Sequence, residues 1–176
     1  MAVNLKGRDF IALKDFTREE LEEFLEVAYQ LKLRLYAGEP FRPLVGKSLG
    51  MIFMKPSTRT RLAFEVAMYQ LGGQAIFLSS RDLQLRRGET IEDTGQVLSR
   101  YLDGVMIRTF DHQDVIDLAN AASIPIINGL TDLLHPTQAL ADLLTIREKK
   151  GRIEGLKLAY VGDASNNMAH SLLFAG

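Results

Sequence analysis

The sequence predicts an α/β fold: a parallel sheet of about four strands flanked by helices, followed by the first βα unit of a second α/β domain. Two observations carry this. From Lys47 onward, short apolar runs alternate with amphipathic segments, the pattern of successive βαβ units. The last apolar run, 156–161, is followed only by a short helical start, and one strand with one helix cannot bury each other's apolar faces. Residues 1–150 therefore read as one domain and 151–176 as the truncated opening of another.

Before the alternation begins, Thr17 and Glu20 read as a capping box. Leu21, Phe24, Leu25, Ala28, Leu31 and Leu35 then recur at helical spacing until Gly38. Glu22, Glu23, Glu26, Lys32 and Arg34 give that helix a solvated opposite face. The next elements are a strand over 49–54, a helix over 60–71 closed by Gly72 and Gly73, and a strand over 75–78. A polar loop over 79–88 leads to a helix over 90–101 and a short strand over 105–107. A helix over 111–122 and a strand over 124–127 follow. The helix over 136–149 has Pro in its first turn and Gly151 after its end.

Composition narrows the function. With 21 Lys plus Arg against 22 Asp plus Glu, the net charge of −1 offers no global field for nucleic acid or an anionic membrane, so an anion site must be local. The absence of cysteine excludes disulfides, thiolate metal sites and a cysteine nucleophile within these residues. His112, His135 and His170 never fall at the i, i+4 spacing of a helical metal pair, so no metal is expected. No run approaches the roughly 18 apolar residues of a membrane span, and the first residues lack a signal-peptide core. The expected location is cytoplasmic.

In open parallel sheets ligands bind beyond the carboxyl ends of the strands, which directs attention to the residues just after each apolar run. After the first comes Lys55-Pro56-Ser57-Thr58-Arg59-Thr60-Arg61, leading directly into a helix. Helix N-terminal amides, three hydroxyls and two guanidiniums suit a phosphate dianion. Arg108 ends the third run, and His135-Pro136-Thr137-Gln138 opens a helix after the fourth. Each place alone reads equally as a helix cap or a surface charge. Together they describe a pocket with donors for a phosphate at one end and a small carbonyl group at the other.

The motifs carry a resemblance. Ser57-Thr58-Arg59-Thr60-Arg61 is similar to the S-T-R-T-R segment of the aspartate and ornithine carbamoyltransferases, and His135-Pro136-Thr137-Gln138 to their H-P-x-Q segment. Met106-Ile107-Arg108-Thr109-Phe110, the loop with Asp82-Leu83-Gln84-Leu85 and Arg87-Gly88-Glu89, and Gly162-Asp163 with Asn166-Asn167 resemble the ornithine branch. Position 86 is Arg where the family commonly has Gly, and position 137 is Thr where ornithine enzymes often have Cys.

The resemblance implies carbamoyl transfer from carbamoyl phosphate to the side-chain amine of L-ornithine, with no cofactor, in a homotrimer with shared active sites. Ser57, Thr58, Arg59 and Thr60 would hold the phosphate, with Gln84 contributed from an adjacent subunit. Arg108, His135 and Gln138 would contact the carbamoyl end, framed by Pro136 and Thr137, and Asn167 would hold ornithine. Arg59, Arg108 and His135 are the expected catalytic residues. The remaining ornithine-binding groups of the family lie in the second domain. The expectation is therefore that this chain binds carbamoyl phosphate without turning over. Aspartate or putrescine as acceptor, and a non-catalytic binding fragment, are the alternative readings.

Overall fold

The structure, a computed structural model, describes residues 3–79, 83–84 and 88–176. Its centre is a four-stranded, wholly parallel sheet in the order β2-β1-β3-β4, formed by β1 (Ser48–Phe53), β2 (Gln74–Ser79), β3 (Gly104–Arg108) and β4 (Ile126–Leu130). The helices are α1 (Arg18–Ala37), α2 (Thr58–Gln70), α3 (Ile91–Tyr101), α4 (His112–Ala121), α5 (Pro136–Lys150) and α6 (Asn167–Ala175). The predicted fold class therefore holds in its main part: four parallel strands flanked by helices.

Side-chain alternation divides the core into two faces. Ile52, Val105, Ile107 and Ile126 pack with Val115 and Leu118 of α4. Met51, Phe53 and Met106 point the other way and pack with Met68 of α2. A third cluster joins Phe10, Leu13, Phe16 and Ala139 of α5, with Phe24 of α1 packed against it. Phe10, Phe16 and Phe24 form a triangle of rings, each pair 5.3 Å apart between centroids. This geometry lets aromatic edges meet faces.

Local chemistry fixes the ends of the elements. Thr17 accepts the Glu20 amide at 3.3 Å while Glu20 accepts the Thr17 amide at 2.8 Å, completing the predicted capping box of α1. Gly38 and Gly151 close α1 and α5 in the left-handed conformation, at φ 71° and 73°.

The structure corrects the bounds of two elements and removes a third. Helix α2 starts at Thr58, two residues earlier than predicted, because Ser57 caps it by accepting the Thr60 amide at 3.2 Å. Strand β4 runs over Ile126–Leu130 instead of 124–127. Pro125 has no N–H for the ladder, although its carbonyl accepts from Val105 at 2.9 Å. Beyond Ile127, Asn128 and Gly129 read as strand breakers but belong to the strand: the buried Asn128 amide donates to the Ile11 carbonyl at 3.0 Å. The predicted strand over 156–161 does not form. That segment is exposed, Val161 at 96%, and among the described residues no strand lies beside it to complete a ladder. Helix α6, the other half of the predicted unit, forms and packs on α5.

An element absent from the sequence reading lies before α1. Phe10 bridges Ile127 in parallel, receiving a bond from Asn128 and donating one to Ile126, both 2.8 Å. Asp9 accepts the Ile126 amide beside it at 2.8 Å. This short stretch covers the β4 edge of the sheet, which would otherwise present unpaired backbone groups.

Candidate active site

The strand order reverses direction between β1 and β3: the chain leaves β1 toward β2 and leaves β3 toward β4. This is the switch point where doubly wound sheets bind ligands. The first two candidate segments meet there. Phe53 pairs with Arg108 across the ladder, and the Met54 amide donates to the Arg108 carbonyl at 2.8 Å.

The β1 loop delivers the predicted anion cradle to the N-terminus of α2. Ser57 is the cap, Thr58 and Arg59 occupy the exposed first turn, and the Thr60 amide bonds the Ser57 hydroxyl. Arg59 makes no hydrogen bond or ion pair among the described residues. Arg61 is differently placed: it pairs with Glu65 at 2.9 Å and lies over the Phe77 ring at 3.9 Å, so its charge is engaged along the helix.

Arg108 follows Met106 on the face of the sheet that carries α2. Its Nε is buried without a hydrogen-bond partner among the described residues. Burial, and secondarily the charge of Arg59, hold its pKa below the usual guanidinium value, although it remains a cation. Two like charges thus approach each other, and among the described residues no carboxylate pairs with either, an arrangement that an anion would relieve.

His135 caps α5 without a side-chain cap bond, and the buried Pro136 occupies the first helical position. Its backbone amide donates to Ser171 Oγ of α6 at 2.8 Å. Its Nδ1 lies 3.3 Å from Thr137 Oγ1. Burial first, and the charge of Arg108 second, push its pKa down to about 4 against an opposing pull from Asp142. The imidazole is neutral at pH 7 and offers one N–H as a donor. The exposed Gln138 spends one amide N–H on Asp142 at 3.0 Å, leaving its side-chain carbonyl as an acceptor.

Asn167 begins α6, and its Nδ2 donates to the Thr131 carbonyl at 2.8 Å, bringing it beside the loop that leads to His135. Gln84 is exposed beyond the end of β2, and its carbonyl accepts the Glu89 amide at 3.3 Å. No bond among the described residues joins Gln84 to the other candidates. Asp82, Leu85, Arg86 and Arg87 of the same loop lie outside the described residues.

Sequence reasoning missed a tie across the mouth of the site. Lys55 pairs with Asp132, and its ammonium sits 4.3 Å from the Phe110 ring centroid. The Asp132 amide donates to the Phe110 carbonyl at 2.9 Å. One lysine therefore holds together the loops after β1, β3 and β4, a contact between distant residues that no local pattern announces. A cavity of about 490 Å³ lined by Ile11, His112, Leu134, His170 and Phe174 lies behind the 131–135 loop, and none of the candidate residues lines it.

Residues 8–148 match the family described as aspartate/ornithine carbamoyltransferase, carbamoyl-P binding domain. The ornithine carbamoyltransferase of Thermococcus kodakarensis is 63% identical over all 176 residues, which span 56% of that protein. That of Anoxybacillus flavithermus is 61% identical over 98% of this chain and 55% of its own length. Among solved structures, the Pyrococcus furiosus ornithine carbamoyltransferase superposes with a TM-score of 0.96 at 59% identity, covering 99% of this chain and 55% of that one. A Trypanosoma cruzi aspartate transcarbamoylase with bound carbamoyl aspartate and phosphate gives 0.90 at 30% identity, over 97% and 54%. The chain spans about half the length of the curated relatives it matches, and it belongs to the aspartate/ornithine carbamoyltransferase family.

Proposed function

We propose that this chain supplies the carbamoyl-phosphate side of an ornithine carbamoyltransferase site, with residues 1–150 binding carbamoyl phosphate and 151–176 opening the ornithine-binding domain. The observation that carries the reading is the pair Arg59 and Arg108, two uncompensated guanidiniums at the switch point beside an α-helix N-terminus. The relatives named ornithine carbamoyltransferase support ornithine over aspartate as the acceptor.

In this reading Ser57, Thr58, Arg59 and Thr60 bind the phosphate group. Arg108 and neutral His135 donate to the carbamoyl oxygen, with Thr60 as a further donor, and the Gln138 carbonyl accepts from the carbamoyl amide. Pro136 and Thr137 frame the segment, Asn167 holds L-ornithine, and Gln84 reaches the site of an adjacent subunit in a homotrimer. The enzyme works in the cytoplasm.

The neutral side-chain amine of ornithine attacks the carbamoyl carbon, forming a C–N bond and a tetrahedral intermediate. Collapse of that intermediate breaks the bond to the phosphate oxygen. Citrulline and inorganic phosphate leave, the departing phosphate taking up the proton that the amine loses. The protein's contribution is orientation of two substrates and stabilisation of negative charge on the carbonyl oxygen. Loss of one such donor costs about 3 kcal/mol of barrier. With a pKa of about 4, His135 serves as an electrophilic donor and is too weak a base to take the ornithine proton efficiently at pH 7.

Calorimetric titration of the purified chain with carbamoyl phosphate, alongside Arg59→Ala, tests the binding half. Saturable binding that disappears in the variant is the expected result. A folded chain that fails to bind, or a variant that binds as tightly, overturns the phosphate-cradle assignment for this chain.

A further inference from the structure

We propose that Thr109, locked to Asp114, is a positioning residue that aims Arg108 into the site; the inference rests on reading Arg108 as the donor to the carbamoyl end. Arg108 cannot hold its own orientation. Its Nε is buried without a partner among the described residues, and the nearby charge of Arg59 repels it. Its aim must therefore come from the backbone on either side.

On the N-terminal side, the β3–β4 ladder slips between Ile107 and Arg108. Ile107 pairs with Asn128 and Arg108 with Leu130, which leaves Gly129 as an extra residue. Such a bulge bends the ladder and redirects the side chain that follows. A slipped ladder alone leaves the strand end able to twist.

On the C-terminal side, Thr109 removes that freedom. Its amide donates to the Leu130 carbonyl at 3.0 Å, and its hydroxyl donates to Asp114 Oδ2 at 2.8 Å. Thr109 is 1% exposed. Asp114 lies in the first turn of α4, on the sheet face opposite α2. Consecutive residues are thus held toward opposite faces: Thr109 is bonded toward α4, so Arg108 is turned toward Arg59 and His135. A hydrogen bond to a carboxylate is among the stronger neutral-donor contacts, and loss of the acceptor would leave a buried hydroxyl unsatisfied.

The test titrates the purified chain and its Thr109→Val and Thr109→Ser variants with carbamoyl phosphate and, separately, inorganic phosphate. The Arg108 Nε–Hε resonance is followed by NMR in each. In Thr109→Val, carbamoyl phosphate should bind about tenfold more weakly, while inorganic phosphate, held by the α2 cradle, should change by less than about twofold. The Arg108 resonance should move in Thr109→Val and return in Thr109→Ser. General destabilisation would weaken both ligands alike. An unmoved resonance in folded Thr109→Val overturns the proposal, as does an unchanged ratio of affinities in a chain that prefers carbamoyl phosphate. If the parent chain shows no such preference, the functional reading of Arg108 falls and the resonance alone decides the role of Thr109. Should Thr109→Val not fold, Asp114→Ala removes the same bond from the helix side and is held to the same outcomes.

Discussion

The amide of Met54 donates to the carbonyl of Arg108 at 2.8 Å, so the ends of β1 and β3 are joined directly beneath the two segments that carry the guanidiniums. The backbone here is bonded from strand to strand, while the Arg108 Nε is buried with no hydrogen-bond partner among the described residues. A functional site that keeps a buried donor unsatisfied sacrifices stability for binding. Arg108→Met, which fills similar volume without the donor or the charge, is expected to raise unfolding free energy by about 1 kcal/mol while abolishing carbamoyl phosphate binding. Urea unfolding with parallel calorimetry checks both; a variant that is less stable and still binds would contradict the account.

His135 sets a pH dependence whose sign follows from its environment. Its folded pKa, about 4, lies below the ordinary histidine value of 6.5 because burial and Arg108 disfavour the cation. The unfolded chain therefore binds the proton more readily, and the stability due to this group falls as pH drops from about 6.5 to about 4. The full shift corresponds to about 3.4 kcal/mol, and solvent screening of a side chain that is only partly buried brings the expected loss to about 1–2 kcal/mol. His112, also pushed down mainly by burial and then by Lys14, adds a loss of the same sign. In His135→Gln the acid-side loss of stability over this window should shrink, measured by denaturant unfolding at several pH values.

Much of the architecture was legible because local chemistry and long-range packing agree. The Thr17–Glu20 box, Gly151 after the end of α5 and Pro136 opening it all follow from short-range geometry that a sequence records directly. The arginines after β1 and β3 could be placed on one edge because every strand of a parallel sheet points the same way. What stayed hidden depends on partners remote in sequence. Asn128 is tolerated inside β4 only because the Ile11 carbonyl accepts its amide, and Lys55 finds Asp132 and Phe110 only after three loops converge. The 156–161 segment has the apolar run of a strand, but without a neighbouring ladder it forms no regular element and stays exposed.

The bulge in β4 makes a sharp demand on Gly129. A Cβ at this position would clash with Met106 Sδ, with the Ile107 carbonyl 3.3 Å away. Met106 is itself fully buried, so it has little room to yield. Gly129→Ala is expected to destabilise the chain by about 1–3 kcal/mol through overpacking. Combining it with Met106→Ala should cost less than the two single losses added together, because removal of the thioether opens the space the methyl needs. Strict additivity in the double-mutant cycle would mean that the glycine is required for another reason.

Arg59 separates binding from folding more cleanly than any other candidate. It is exposed on the first turn of α2 and makes no hydrogen bond or ion pair among the described residues. Arg59→Ala should therefore leave the ligand-free melting temperature nearly unchanged. Carbamoyl phosphate that binds only the folded chain should stabilise the parent by about 2.7 kcal/mol at roughly 100 times its Kd. For a chain of this size that is a rise of roughly 5–10 °C. Ser57→Ala should behave differently, because Ser57 accepts the Thr60 amide: its ligand-free stability should fall by about 1 kcal/mol as the cap is lost. At the parent's saturating concentration the ligand-induced rise should vanish in Arg59→Ala and shrink in Ser57→Ala. A full rise in Arg59→Ala would place the anion elsewhere than at the head of α2.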